Sequence, residues 1–259
     1  MIDYEQRFLA DMGAKNKLSE ASKGIVLICT GTAYTKAAER TAVNIREKCP
    51  DIPVALFTDY TNQGRDDLMR DGLFDYVYDI AQPHRRSKVD CLPETPFDKT
   101  LYLDTDIRLC EDVRDIFELL DRFDIALAHA HTRNRAATKT SWTMTVPESF
   151  PQFNGGVIAY RRTDSVMRFL ENWRDAYASA DFAKDQVTLR ELLWRSDLHI
   201  ATLPPEYNIR YGKYLRVWHA QEARPKILHF EKYNYSSRVR YLKKTIKDGL
   251  KAFKNKSSG

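Results

Sequence analysis

The sequence predicts an α/β domain, a Rossmann-like mixed and mostly parallel sheet flanked by helices, and three observations carry that prediction. Short apolar runs rich in β-branched residues recur through the first half, as fully buried strands require. Segments with helical spacing lie between them, and such alternation implies crossover connections that cover both faces of a sheet. One of the apolar runs ends in an acidic triplet, at the carboxyl end of a strand where ligands of such sheets bind.

Taken in order, residues 1–23 are polar and without a clear period, and read as an N-terminal arm. The run IVLICT between Gly24 and Gly31 is a buried strand bounded by glycines. Thr32 to Lys48 has helical character, with Ala37, Ala38, Ala42, Val43 and Ile45, and ends at Pro50. VALFTD after Pro53 is a second strand, and the alternating stretch from Phe74, DYVYDI, a third. A short helix over 85–92 is expected to stop at Pro93. From Lys99, TLYLDTDI is a strand running into acids; 112–122 is a helix, and IALAHA after Asp124 a strand. Residues 131–152 are polar, contain Pro147 and Pro151, and read as a long loop of the kind that carries function. Strand character returns after Gly156 (VIAY), and helices follow over about 164–179 and 185–194.

At 259 residues the chain suits one large domain, assigned to 24–235, with a tail over 236–259. Its 43% apolar and 30% charged residues are globular in balance. The net charge of +5 is uneven. From Arg238 onward there are eight Lys or Arg against one acid, Asp248, leaving 33 basic and 35 acidic residues for the rest. A nearly neutral body argues against nucleic acid as a partner, which calls for basic residues spread over a face. Cys29, Cys49, Cys91 and Cys110 show neither a CxxC pair nor zinc spacing, which fits a reduced, cytoplasmic setting. The acidic start, MIDYEQRF, is unlike a signal peptide, and no apolar run is long enough to span a bilayer.

The chemistry centres on Asp104-Thr105-Asp106. Carboxylates two residues apart at a strand's end share a side of the chain, and two acids that close need a positive partner. A hard divalent cation that also bridges diphosphate oxygens suits them. Taken alone, the same triplet equally suits a strand cap leading into a polar turn.

In the company of other segments the triplet resembles nucleotide-sugar glycosyltransferases of the GT-A fold. The resemblance is to the retaining branch (family eight-like) that includes glycogenin and bacterial lipooligosaccharide galactosyltransferases. The matching pieces run in order over about residues 24–232: Thr30-Gly-Thr-Ala-Tyr34; Lys88; Asp104-Thr105-Asp106; Phe153-Asn154-Gly155-Gly156; Asp185-Gln186; and Ile227-Leu-His229-Phe230. The resemblance implies that Thr30 and Tyr34 hold the nucleoside, with Tyr34 against the base. It implies that Lys88 and Thr105 touch the donor, and that His229 completes a metal site with Asp104 and Asp106. It further implies that Gly155 and Gly156 lie near the sugar, with Asn154, Asp185 and Gln186 as catalytic candidates around its anomeric carbon. The family follows His-Phe with a glycine and then a lysine that grips the diphosphate. Here Glu231-Lys232-Tyr-Asn-Tyr has no glycine and Lys232 comes early, so either Lys232 grips the diphosphate from another direction or the phosphates are held otherwise.

Two carboxylates and an imidazole favour Mn2+, with Mg2+ able to substitute. The expected reaction is transfer of a hexose from a nucleotide diphosphate, UDP-glucose or UDP-galactose, to a hydroxyl of a saccharide or glycolipid, with retention implied by the resemblance alone. Two other readings share the residues: a sugar nucleotidyltransferase, and an inactive GT-A protein that binds a membrane surface. Residue by residue, structural roles compete: a solvated helix-end lysine for Lys88, a tight turn for Asn154-Gly-Gly, a helix-start acid for Asp185, and a satisfied structural histidine for His229. Asp59, ending the second strand, suits contact with base or ribose, and the basic residues Arg133, Arg135 and Lys139 suit an acidic acceptor. In the tail, Val239, Leu242, Ile246, Leu250 and Phe253 share one helical face, with lysines on the others. That pattern suits an anionic membrane surface, placing the protein on the membrane's inner face, and equally suits a helix docked on the body.

Overall fold

The structure, a computed structural model, describes residues 23–59, 68–69, 71–134 and 139–234. Of the expected arm over 1–23 only Lys23 is described, and it opens the first strand; residues 1–22, Arg135 and the tail 236–259 lie outside the described residues.

Seven strands form the main sheet: β1 (Lys23–Cys29), β2 (Val54–Thr58), β3 (Tyr76–Asp79), β4 (Lys99–Leu103), β6 (Ile125–His129), β7 (Phe153–Arg161) and β8 (Ile200–Leu203), in the spatial order β3-β2-β1-β4-β7-β6-β8. A second sheet pairs β5 (Ile107–Leu109) with β9 (Ile227–His229). The pairs β1/β2, β1/β4, β2/β3 and β6/β8 are parallel, while β7 runs antiparallel to both β4 and β6. The mixed, mostly parallel α/β sheet expected from the sequence is therefore the one observed.

The continuous apolar runs are explained by the two faces they serve. In β1, Ile25, Leu27 and Cys29 join one core while Val26 and Ile28 join the other, and β2 divides Val54 and Leu56 from Ala55 and Phe57 in the same way. Helix α1 (Thr32–Lys48), at the expected bounds, packs Ala38, Ala42 and Ile45 on the first face. The second face is covered by two further helices. After α2 (Lys88–Cys91) and α3 (Ile116–Leu119) come α4 (Asp164–Ser179), with Val166, Phe169, Leu170 and Trp173, and α5 (Gln186–Arg195), with Leu189 and Leu193. Thr163 caps α4, its hydroxyl accepting from the Val166 N–H at 3.4 Å. A last helical turn, α6, covers Tyr214–Val217.

Three local expectations change. The helix over 85–92 is one turn, α2, and Pro93 sits inside a following 3-10 turn, Leu92–Glu94, whose first positions need no proline N–H. The helix over 112–122 shrinks to α3. Asp112 instead accepts from the backbone N–H of Arg114 at 2.9 Å, and residues 116–118 bond three residues back, so the chain turns more tightly than an α-helix. Asn154-Gly-Gly is not a turn before a strand: β7 begins at Phe153, which pairs with His129.

Candidate active site

The carboxyl ends of β1 and β4, the start of β7, the start of α5 and the second sheet converge on one rim. Gly31 takes φ 81°, a left-handed conformation that suits glycine, and lets the chain leave β1 for α1. Its N–H donates to Asp59 Oδ1 at 2.7 Å, so Asp59 fixes this loop.

Asp104 follows β4 and Asp106 precedes β5, with Thr105 between them. The Asp104 N–H donates to the Gly156 carbonyl at 2.9 Å, tying the triplet to β7. Since Ile107 pairs with His229 across the second sheet, the imidazole is delivered against both acids. His229 Nε2 lies 3.0 Å from Asp106 Oδ1 and 3.4 Å from Asp104 Oδ2. One ligand atom from each of the three side chains lies within 4.8 Å of the others, close enough for a single divalent cation to be held among them. His229 is buried, and its Nδ1 lies 2.8 Å from Asn208 Oδ1, which leaves Nε2 facing the carboxylates. Glycine at 156 is required by this packing: a Cβ there would sit 2.1 Å from His229 Cε1 and 2.6 Å from Asp104 Oδ2.

Lys88 is not a solvated helix-end residue. It is buried, and its Nζ donates to the Gly155 carbonyl at 2.6 Å and pairs with Asp185 Oδ2 at 2.8 Å, with Asp104 Oδ1 at 3.9 Å. Asp185 does start α5, but its carboxylate turns inward to Lys88 and lies 3.6 Å from Arg86 Nε. Trp173 of α4 anchors it by donating to its carbonyl at 3.1 Å. Asn154 Oδ1 accepts from the Gly156 N–H and from Asn208 Nδ2, each at 3.0 Å.

The electrostatics follow from these contacts. Burial opposes charge on Asp104, yet Lys88, then His229 and the Tyr102 hydroxyl, hold its carboxyl below the usual carboxylate range. Burial likewise opposes charge on Lys88 and on His229, and each is raised above its ordinary value by the acids it faces. His131 is pushed down to about 4, by burial and then by Arg210.

Two cavities meet here. The larger, about 400 Å3, is lined by Thr30, Tyr34, Thr105 and Asp106. The smaller, about 220 Å3, is lined by Asn154, Gly155, Gly156, Asp185 and Gln186. Arg86, Lys88, Asp104, Arg210 and His229 line both. The structure thus brings the donor, metal and catalytic candidates together with one exception, while Asp59, Arg133 and Lys139 line neither cavity. Lys232 is exposed outside both linings, its Nζ 5.1 and 5.3 Å from the ring centres of Phe230 and Tyr233. Sequence reasoning missed Arg86, Asn208 and Arg210, whose roles depend on where the folded chain carries them.

Comparison with known proteins agrees with this geometry. Residues 99–239 match the family described as nucleotide-diphospho-sugar transferase, a span that includes the acidic triplet, Asn154-Gly-Gly, Asp185-Gln186 and His229. The fold is similar to that of the glycosyltransferase GlyE of Streptococcus pneumoniae, with a TM-score of 0.55 and 20% identity over 80% of this chain, which spans 54% of GlyE. It is similar also to the galactosyltransferase LgtC, solved with donor and acceptor sugar analogues, with a TM-score of 0.55 and 16% identity over 80% of this chain and 87% of LgtC. Mouse xyloside xylosyltransferase 1 matches with a TM-score of 0.53 and 13% identity over 83% of this chain and 99% of its own. No curated protein sequence matches significantly.

Proposed function

This chain belongs to the nucleotide-diphospho-sugar transferase family and has the GT-A fold, and from that premise we propose that it is a metal-dependent glycosyltransferase that moves a hexose from UDP-glucose or UDP-galactose to a hydroxyl of a saccharide or glycolipid. The observation that carries the reading is the convergence of Asp104, Asp106 and His229 where a large cavity meets a small one. The larger cavity suits the nucleoside, with Thr30 and Tyr34 on its wall; the smaller suits the hexose, with Asn154, Asp185 and Gln186 around it.

In this reading Asp104, Asp106 and His229 hold Mn2+, or Mg2+ in its place. The bound cation supplies Lewis-acid stabilisation of the charge that gathers on the leaving nucleoside diphosphate. Lys88, already charged and fixed by Asp185 and Gly155, adds a positive contact beside the breaking bond. Asp185 and Gln186, at the start of α5, hold sugar hydroxyls and orient the anomeric carbon, while Gly155 and Gly156, whose missing side chains leave room for Lys88, His229 and Asp104, line the same cavity. Transfer with retention is part of the proposal and comes from the family resemblance. For residues 236–259 the proposal is a basic helix on an anionic membrane surface; among the described residues no helix is long and apolar enough to cross a membrane.

The test is turnover of a panel of nucleotide sugars with Mn2+ and simple sugar acceptors. Release of nucleoside diphosphate from one donor, abolished by EDTA, is expected. Release of pyrophosphate would instead identify a nucleotidyltransferase, and absence of both turnover and donor binding would overturn the proposal.

A further inference from the structure

We infer that Arg210 grips the donor's phosphates at the junction of the two cavities and sets a preference for a diphosphate over a monophosphate. The inference rests on the donor reading above.

The residue before Arg210 is tied into the second sheet beside His229, and Arg210's own N–H points to His131 Nε2 at 3.5 Å. Ile209 forms a bridge to Leu228, its N–H donating to Ile227 O at 2.9 Å while the His229 N–H donates back to Ile209 O at 2.9 Å. Arg210 therefore leaves the second sheet beside the imidazole. Its guanidinium has five donors in a rigid fork, and among the described residues it makes no hydrogen bond. Its nearest acid is Asp106, with 3.8 Å between Nη1 and Oδ2, a loose contact for a side chain still 31% exposed.

Apart from Arg86, the neighbouring cations are committed or placed to one side. Lys88 is sunk between Asp185 and the Gly155 carbonyl. Arg86 leans on Asp185 at 3.6 Å, Lys184 lines the smaller cavity alone, and Arg85 the larger alone. Charge counting points the same way. A divalent cation offsets Asp104 and Asp106, and Lys88 offsets Asp185. Among the cations that line both cavities, Arg86 and Arg210 are then the surplus, two positive charges against the two of a sugar diphosphate. Of these two, Arg210 stands beside the metal ligands, and a guanidinium fork matches phosphate oxygens in pairs.

The experiment is calorimetric titration of the full chain, in Mn2+, with the di- and monophosphates of uridine, guanosine, adenosine and cytidine, comparing wild type, Arg210→Ala and Arg210→Lys. Wild type is expected to bind one diphosphate more tightly than its monophosphate. Arg210→Ala should weaken that diphosphate about ten- to hundredfold and the monophosphate by less than about threefold, with Arg210→Lys between the two. Thermal melts confirm that the variants fold; if the alanine variant does not, the lysine variant alone must show a selective loss. Equal weakening of both ligands, or an unchanged preference, overturns the inference and leaves the donor reading standing. A wild type that binds no nucleotide overturns both.

Discussion

The side-chain oxygen of the wholly buried Asn208 lies 2.8 Å from Nδ1 of His229, and its amide nitrogen donates to Asn154 at 3.0 Å. Asn208 thus joins the β7 strand that bounds the smaller cavity to the imidazole that faces two carboxylates. Accepting from Nδ1–H presents Nε2 to the metal position, the role that outer partners of ligating histidines play.

Asn208→Ala should therefore weaken Mn2+ binding about ten- to hundredfold without removing a ligand. Mn2+ titration followed by electron paramagnetic resonance measures it. Unchanged affinity would reduce Asn208 to a packing residue.

Gly156→Ala should cost the metal site more than Gly155→Ala. At 156 the new carbon meets the His229 ring at 2.1 Å and Asp104 at 2.6 Å, both proposed ligands. At 155 it meets Lys88 Nζ at 2.9 Å and Asp185 Oδ2 at 3.3 Å, neither of them a proposed ligand. Mn2+ binding lost in the first variant and kept in the second is the expected result; equal binding by both would contradict the packing.

Lys88→Met leaves the buried Asp185 without its closest counter-charge. Breaking one side of a buried pair costs about 3 kcal/mol, read as a lower urea midpoint. A midpoint equal to wild type would show that Arg86 suffices to neutralise Asp185.

Asp124 fastens the starts of β6 and β8 to the end of β7: it accepts from the His199 N–H at 2.7 Å and from Arg161 Nε at 2.9 Å. Burial opposes its charge, but these donors hold its pKa below the ordinary value. A depressed carboxylate stabilises the fold above its unfolded pKa and loses that contribution as pH falls through the folded value. Asp124→Asn should therefore be about 1 to 2 kcal/mol less stable at neutral pH, with the gap closing below about pH 4. A gap independent of pH would contradict the assignment.

The parts legible in the sequence are those where local pattern and burial agree. The run from Ile25 to Cys29 is apolar because it serves two cores, and the helix from Thr32 to Lys48 repeats its small residues along one face. The strand Ile200–Leu203 escaped notice because it is short and exposes Thr202 on the sheet edge. The pair β5/β9 joins residues more than a hundred positions apart, and so does the delivery of His229 to Asp106. Asp104, Asp106 and His229 were legible as a set only through family resemblance. Arg210 and Asn208 were not, since nothing near them in the chain announces the return beside Leu228 that gives them their roles. For Lys88 the two readings differ only in where the side chain points, which tertiary structure decides.

The most direct measurement of the central claim is equilibrium binding of Mn2+ to the wild type and to Asp106→Ala and His229→Ala, followed by electron paramagnetic resonance. The account expects one Mn2+ per chain in the wild type and its loss in both variants, with melting temperatures showing that the variants remain folded. A wild type that binds no Mn2+, or variants that bind it equally well, would contradict the metal site on which the proposed glycosyl transfer depends.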